Sequence, residues 1–289
     1  MSLIVTYFPP KNLISTCFLP VNLKPRRSQQ SRQFTRFSFF DATRRHAAYP
    51  AQCTRIPPLG LFLVNASSAT PEQAIVAHVN RTTNHDEALL VAIEAAEEFG
   101  LMYPDTITGE FLTFLAAHAG SSATLAGHTP TAIVMSSASG VVGSYLFAGM
   151  SDGHLTCIEP EVQYQQLAKE AFAASGKRPN SFRFLPSSPL DVVSRLAQES
   201  YDLAVAEAHE EDLIPLVRAT LPALRPGGLI VLMDTLVDGL IGDESRTDRQ
   251  TTAAREADEF FRELEGVQVS RLPLGAGLTL LTKVSAPQN

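Results

Sequence analysis

From residue 131 onward, short apolar runs alternate with longer amphipathic ones, and this alternation restricts the fold more than any other feature of the chain. Residues 132–135, 155–158, 181–185, 203–206 and 229–233 read as strands, and residues 141–150, 161–174, 190–198 and 210–224 between them read as helices. Strands this short and this apolar, each followed by a helix, belong in a parallel sheet covered on both faces. The pattern then changes. A long polar helix over 248–264 is followed by two strand-like runs, 267–272 and 278–284, joined by Leu-Gly-Ala-Gly. So short a connection joins antiparallel neighbours, which places a hairpin at one edge of the sheet.

Upstream of the sheet, residues 71–79, 84–99 and 107–118 carry helical periodicity. Asn84 with Glu87 reads as a capping box and Gly100 as a C-terminal cap. Residues 1–69 are different in kind. Prolines interrupt each apolar run, and the first 60 residues hold nine Lys/Arg against one acid, Asp41. The extension reads as a disordered basic tail or as translation from a start set too early, with a transit peptide as the functional alternative. One domain is expected over 70–287, with helices at 70–120 and the sheet core at 131–285.

The basic extension hides the character of the body. The chain carries 23 basic and 30 acidic residues, so beyond residue 60 the balance is 14 against 29. An acidic body does not suit nucleic acid, which needs a basic face. No apolar run is long enough to span a membrane. The three scattered cysteines, Cys17, Cys53 and Cys157, form neither a disulfide framework nor a CxxC metal motif, which suits a reducing, cytoplasmic setting.

Five local words follow in order: Val-Val-Gly-Ser-Tyr-Leu-Phe-Ala-Gly-Met (141–150), Leu-Thr-Cys-Ile-Glu (155–159), Tyr-Asp-Leu-Ala-Val-Ala (201–206), Leu-Arg-Pro-Gly-Gly-Leu-Ile-Val (224–231) and Leu-Pro-Leu-Gly-Ala-Gly-Leu (272–278). In this order and spacing the chain resembles the class I S-adenosylmethionine-dependent O-methyltransferases, the group that includes catechol and caffeoyl-CoA O-methyltransferases. The resemblance implies a Rossmann-like, mostly parallel seven-stranded sheet, S-adenosyl-L-methionine as cofactor, a small hydroxylated acceptor and a homodimer.

It also implies a site. In the family the first strand ends in an acid and a glycine-rich turn around the cofactor's amino-acid end. Here Val134 stands at the acid's place, and Ser136 and Ala138 stand where glycines would, leaving Gly140 and Gly143. Ser136, Ser137, Ser139 and Gly140 are therefore the expected binding turn. Glu159 closes the second strand, where a carboxylate accepts both hydrogen bonds of a ribose diol. Ser188 falls beside the adenine position, and Thr106 and Gly109 in the helix expected to lie against the cofactor. Glu207 joins the expected cofactor contacts. The family's metal positions correspond to Glu207, Met233 and Asp234, and a one-residue slip offers Thr235. A thioether is a poor ligand for a hard cation, so no metal is expected. His209 is the candidate base, with Asp234 beside it at the next strand tip, while Asp238, Asp243 and Asp248 either line an acceptor pocket or form a solvated loop. The eroded turn also admits a second reading, a weakened paralogue that binds cofactor or a protein partner without turnover.

Overall fold

The computed structural model describes residues 70–284, and the expectations for residues 1–69, including Cys17 and Cys53, lie outside them. Every apolar run named above is a strand: β1 (Thr131–Met135), β2 (His154–Ile158), β3 (Phe182–Leu185), β4 (Tyr201–Ala206), β5 (Leu224–Leu232), β6 (Val267–Leu272) and β7 (Leu278–Lys283). The helices are α1 (Pro71–Thr82), α2 (Glu87–Glu98), α3 (Thr106–Leu125), α4 (Ser139–Gly149), α5 (Val162–Ala174), α6 (Pro189–Val192), α7 (Leu213–Thr220) and α8 (Arg249–Glu263). The strands pair in the order β3-β2-β1-β4-β5-β7-β6. β1 to β5 are parallel, and β7 runs antiparallel to both β5 and β6. This is the mixed sheet with a C-terminal hairpin that the sequence implied.

Side-chain alternation along the strands divides the core. Ala132 and Val134 of β1 face α2, α3, α4 and α5, whereas Ile133 and Met135 face α7 and α8. Strand order reverses at β1, which pairs with β2 on one side and β4 on the other. At such a switch point successive connections leave to opposite faces, opening a crevice beyond the carboxyl ends of the strands. The opposite end of the sheet is tied by Asp202, whose carboxylate accepts from Thr131 N at 2.8 Å, from Arg225 at 3.0 Å and pairs with His128 at 2.9 Å. Arg225 of the Arg-Pro-Gly-Gly word thus serves the sheet. Among the described residues no helix is long and apolar enough to cross a membrane.

Several boundaries depart from expectation, each for a local reason. The capping residue of α2 is Asp86, which accepts from Leu89 N at 2.7 Å, rather than Asn84; the full capping box belongs to α1, between Thr70 and Gln73. Gly100 does close α2, at φ 64°, with the paired Gly100 N to Glu97 O and Leu101 N to Ala96 O bonds of a left-handed cap. α3 runs on to Leu125, past the expected end at 118, because Gly120 seats it against Met150. The expected helix over 190–198 is only α6 and a 3₁₀ turn, and that over 210–224 is cut to α7 between two 3₁₀ turns. Pro222 lacks the N–H that would continue α7, and Leu224 already belongs to β5.

Candidate functional site

β1 delivers the chain to a turn at Ser136–Ala138 before α4 begins. The two serines hold this turn together. Ser136 Oγ accepts from Ala138 N at 3.2 Å, and Ser139 Oγ donates to Ser136 O. Short hydroxyl side chains often close turns in this way. Ser139 is fully buried, so its hydroxyl is used within the loop. No side chain caps α4 at Ala138, leaving its first amides and the positive end of its dipole uncovered by side chains.

Beyond β2, Glu159 sits nearly buried. One carboxylate oxygen accepts from Glu161 N at 2.7 Å, and its backbone carbonyl accepts from Gln165 Nε2 of α5 at 2.8 Å, which fixes the strand tip. The other oxygen has no hydrogen-bond partner among the described residues. Burial raises the Glu159 pKa, the Glu161 amide opposes this, and the Glu161 and Glu207 carboxylates add to it.

Glu159 shares a cavity of about 380 Å³ with Ser136, Ser137, Ser188, Glu207 and His209. Tyr164, Pro189, Leu190 and Leu216 supply its less polar wall. The tips of β1, β2 and β4 therefore meet at one hollow. Gly140 lies outside it, in the first turn of α4, where a Cβ would come within 3.1 Å of Ala168 Cα. A Cβ on Gly143 would fall 2.4 Å from the Phe172 ring. Both surviving glycines are thus required by the packing of α4 on α5. Gly109 is likewise a packing residue, with a Cβ position 2.1 Å from Tyr145.

A second, smaller cavity of about 210 Å³ opens on the other side of Glu207. Its wall includes Tyr103, Asp105, Thr108, Asp234, Asp238 and Gly275. Glu207 lines both cavities. Ser136 Oγ donates to Glu207 at 3.0 Å, joining the turn after β1 to the partition. Burial raises the Glu207 pKa, Ser136 lowers it, Asp234 raises it and His209 lowers it. Asp234 is also raised, first by burial and then by Asp238, Asp105 and Glu210, against a hydrogen bond from Ala276 N at 3.2 Å. The backbone here is strained: Asp234, Val237 and Asp238 have φ of 60°, 51° and 51°. Such conformations are costly for residues with a Cβ, above all a β-branched valine, and cluster where a surrounding structure holds functional groups in place.

His209 and Asp234 stand at adjacent strand tips but in different cavities: His209 is exposed at the larger one and Asp234 is half-buried in the smaller. Of the three acids after β5, only Asp238 reaches a cavity wall. Asp243 caps a turn at Ser245, and Asp248 caps α8 by accepting from Thr251 N. Tyr103, Asp105 and Thr108, which precede or open α3, were not singled out from the sequence. Their only signal was proximity to a helix start expected near the site.

The family's metal positions do not fit a magnesium ion. Met233 offers a thioether and is 5% exposed, while the Glu207 and Asp234 carboxylates each already accept a hydrogen bond from the protein. Magnesium requires an octahedral oxygen set. Cys157, fully buried on β2 with its thiol pKa pushed up by burial, offers no nucleophile.

Comparison with known proteins gives the family and the fold. The O-methyltransferase family profile matches residues 145–284. A Mycolicibacterium smegmatis protein named for O-methyltransferase activity is 33% identical over 211 residues, covering 73% of this chain and 97% of that relative. A Corynebacterium glutamicum protein of known structure is 45% identical, covers 75% of this chain and 99% of its own, and superposes with a TM-score of 0.71. An O-methyltransferase of Streptomyces achromogenes involved in tomaymycin synthesis, solved in complex with SAM, shares the fold at 21% identity over 73% of this chain and 95% of its own, with a TM-score of 0.63. The chain belongs to the O-methyltransferase family.

Proposed function

We propose that the protein transfers a methyl group from S-adenosylmethionine to a hydroxyl of a small molecule, with cofactor in the larger cavity and acceptor in the smaller. The observation that carries this reading is the position of Glu207 as the wall common to both. Cavities that adjoin at one side chain make their occupants neighbours, and alignment of neighbouring reactants supplies much of the rate in a displacement of this kind.

The cavity's residues fit the cofactor part by part. The unpartnered Glu159 oxygen accepts from the ribose diol. The Ser136–Ser137 turn and the uncapped start of α4 face the carboxylate end, where a helix N-terminus favours negative charge. Ser188, Pro189 and Leu190 border the base. When bound, the sulfonium supplies an activated methyl group. Asp234 accepts the proton of the acceptor hydroxyl, since it lines the acceptor's cavity and its raised pKa brings it closer to a working base at neutral pH. His209 lies on the cofactor side, in the other cavity. We place the protein in a reducing, cytoplasmic compartment, which its three scattered cysteines suit.

Calorimetry with S-adenosylhomocysteine tests the assignment. Glu159→Ala removes a charged acceptor of two hydrogen bonds, so affinity drops by roughly 100-fold. Unchanged affinity in that variant would remove Glu159 from the site. Asp234→Asn keeps cofactor affinity and loses turnover, measured as transfer of labelled methyl to phenolic acceptors.

The dimer expected from the resemblance finds support in the exposed apolar side chains of α1 to α3. Ile75, Leu90, Val91, Phe114 and Leu125 are exposed there, with Phe114 67% and Leu125 90% accessible. An apolar patch on one side of a protein marks an association surface, and we assign it to a second copy of this chain.

A further inference from the structure

The smaller cavity has a charge that the methyl-transfer reading alone does not require. Its wall holds four carboxylates, Asp105, Glu207, Asp234 and Asp238, and no Lys, Arg or His. None of the four forms an ion pair among the described residues. A sulfonium beyond Glu207 balances one negative charge of the group. The carboxylates are also spread around the cavity: no three acidic, His or Cys side chains among the described residues converge as a metal site. This arrangement surrounds an extended cation better than it grips a point ion.

A second feature is independent of the acids. Thr108 is 3% exposed, its Oγ1 has no hydrogen-bond partner, and it lines the same cavity. Among the described residues it is the one side-chain polar atom without solvent contact that is left unpaired. Leaving a buried hydroxyl unpaired is costly, so such a group is generally one that meets a ligand or solvent partner. A Cβ on Gly275 would lie 3.6 Å from Thr108 Oγ1 and 3.4 Å from Asp234 Oδ1, so hydroxyl and carboxylate face the same spot. Gly275, at φ 57°, leaves that spot open.

We infer that the acceptor is a cation: a small hydroxylated molecule carrying an ammonium group, which the carboxylate-lined cavity and the free Thr108 hydroxyl recognise. This rests on the assignment of that cavity to the acceptor and deepens it. An ammonium donates several hydrogen bonds, which Thr108 Oγ1 and carboxylate oxygens accept, and Tyr103 adds an aromatic wall suited to a positive charge. Acceptors with a carboxylate arm meet like charge at the same wall.

Tyramine and phloretate test this, since they share one phenol and one two-carbon arm and end in ammonium and carboxylate respectively. Binding of each to the full-length protein is measured by calorimetry, with and without S-adenosylhomocysteine and in EDTA. Tyramine binds at least about tenfold more tightly than phloretate, a modest requirement for opposite charges at a wall of two half-buried and two exposed carboxylates. The ratio falls in Asp238→Asn and in Thr108→Val, both checked for wild-type melting. Equal affinities, tighter phloretate binding, or tyramine binding that EDTA abolishes overturns the inference, the last by showing a metal ion as the species that fills the wall. Absence of S-adenosylhomocysteine binding in the same cells defeats the cofactor assignment instead, and the tyramine-to-phloretate comparison without it is then read by the same criteria.

Discussion

Glu159, Glu207 and Asp234 have raised pKa values, in each case chiefly through burial. Each binds its proton more tightly in the folded chain than in the unfolded one. Their contribution to stability is therefore most favourable at acidic pH and declines as pH rises from the ordinary carboxylate value through the raised one. At neutral pH the burial of these acids weakens the fold, a cost that is common at functional sites. Glu207→Gln and Asp234→Asn should thus melt above wild type at neutral pH, with the difference shrinking near about pH 4, where the wild-type carboxyls also protonate. Thermal scans at both pH values check this, and lower melting in both variants at neutral pH would contradict the burial argument. The same raised pKa requires that turnover increase with pH through the Asp234 titration, and Asp234→Asn should remove that limb of the profile.

Between elements, glycines decide how closely the helices approach. α3 and α4 meet at Gly149, where a Cβ would sit 2.2 Å from Thr113 O and 2.7 Å from Ala117 N. These are backbone atoms that cannot rotate away, and Thr113 Oγ1 donates to Tyr145 O across the same contact at 3.1 Å. Gly149→Ala should destabilise the fold by about 3 kcal/mol, the upper range for overpacking, read as a shift of the denaturant midpoint. Gly143 has the same role against Phe172, whose ring also packs on Phe147, Phe182 and Phe184. A glycine that resembles part of a ligand loop can therefore be held in the sequence by helix packing alone.

At the level of the whole molecule, α2 and α3 share the sheet's core through Leu89, Ala92, Leu112 and Ala116, while α1 to α3 present apolar side chains outward. Phe114→Glu, at an exposed apolar position of α3, should convert the proposed dimer to monomer in sedimentation velocity without changing the melting of the monomer fold. Wild-type protein sedimenting as a monomer at micromolar concentration would remove the assignment of that face. Because Thr108 and Asp105 open α3, the element that carries Phe114, the monomeric variant also reports whether acceptor binding needs the interface intact.

By itself the sequence determined the class of sheet, the strand positions, the antiparallel hairpin and the acid at the tip of β2. These follow from apolar periodicity and chain order, which act over a few residues. It misplaced the ends of α3 and α7 and the start of β5, where a tertiary contact or a proline overrides local propensity. Only the tertiary structure showed that the Ser136–Ala138 turn is tied by its own serines, that Gly140 and Gly143 pack helices, and that His209 and Asp234, at adjacent strand tips, line different cavities. Only it could bring Asp105 and Thr108 to the same wall as Asp234 and Asp238. A cavity's charge depends on segments more than a hundred residues apart in the chain, and no local pattern in a sequence records which of them meet.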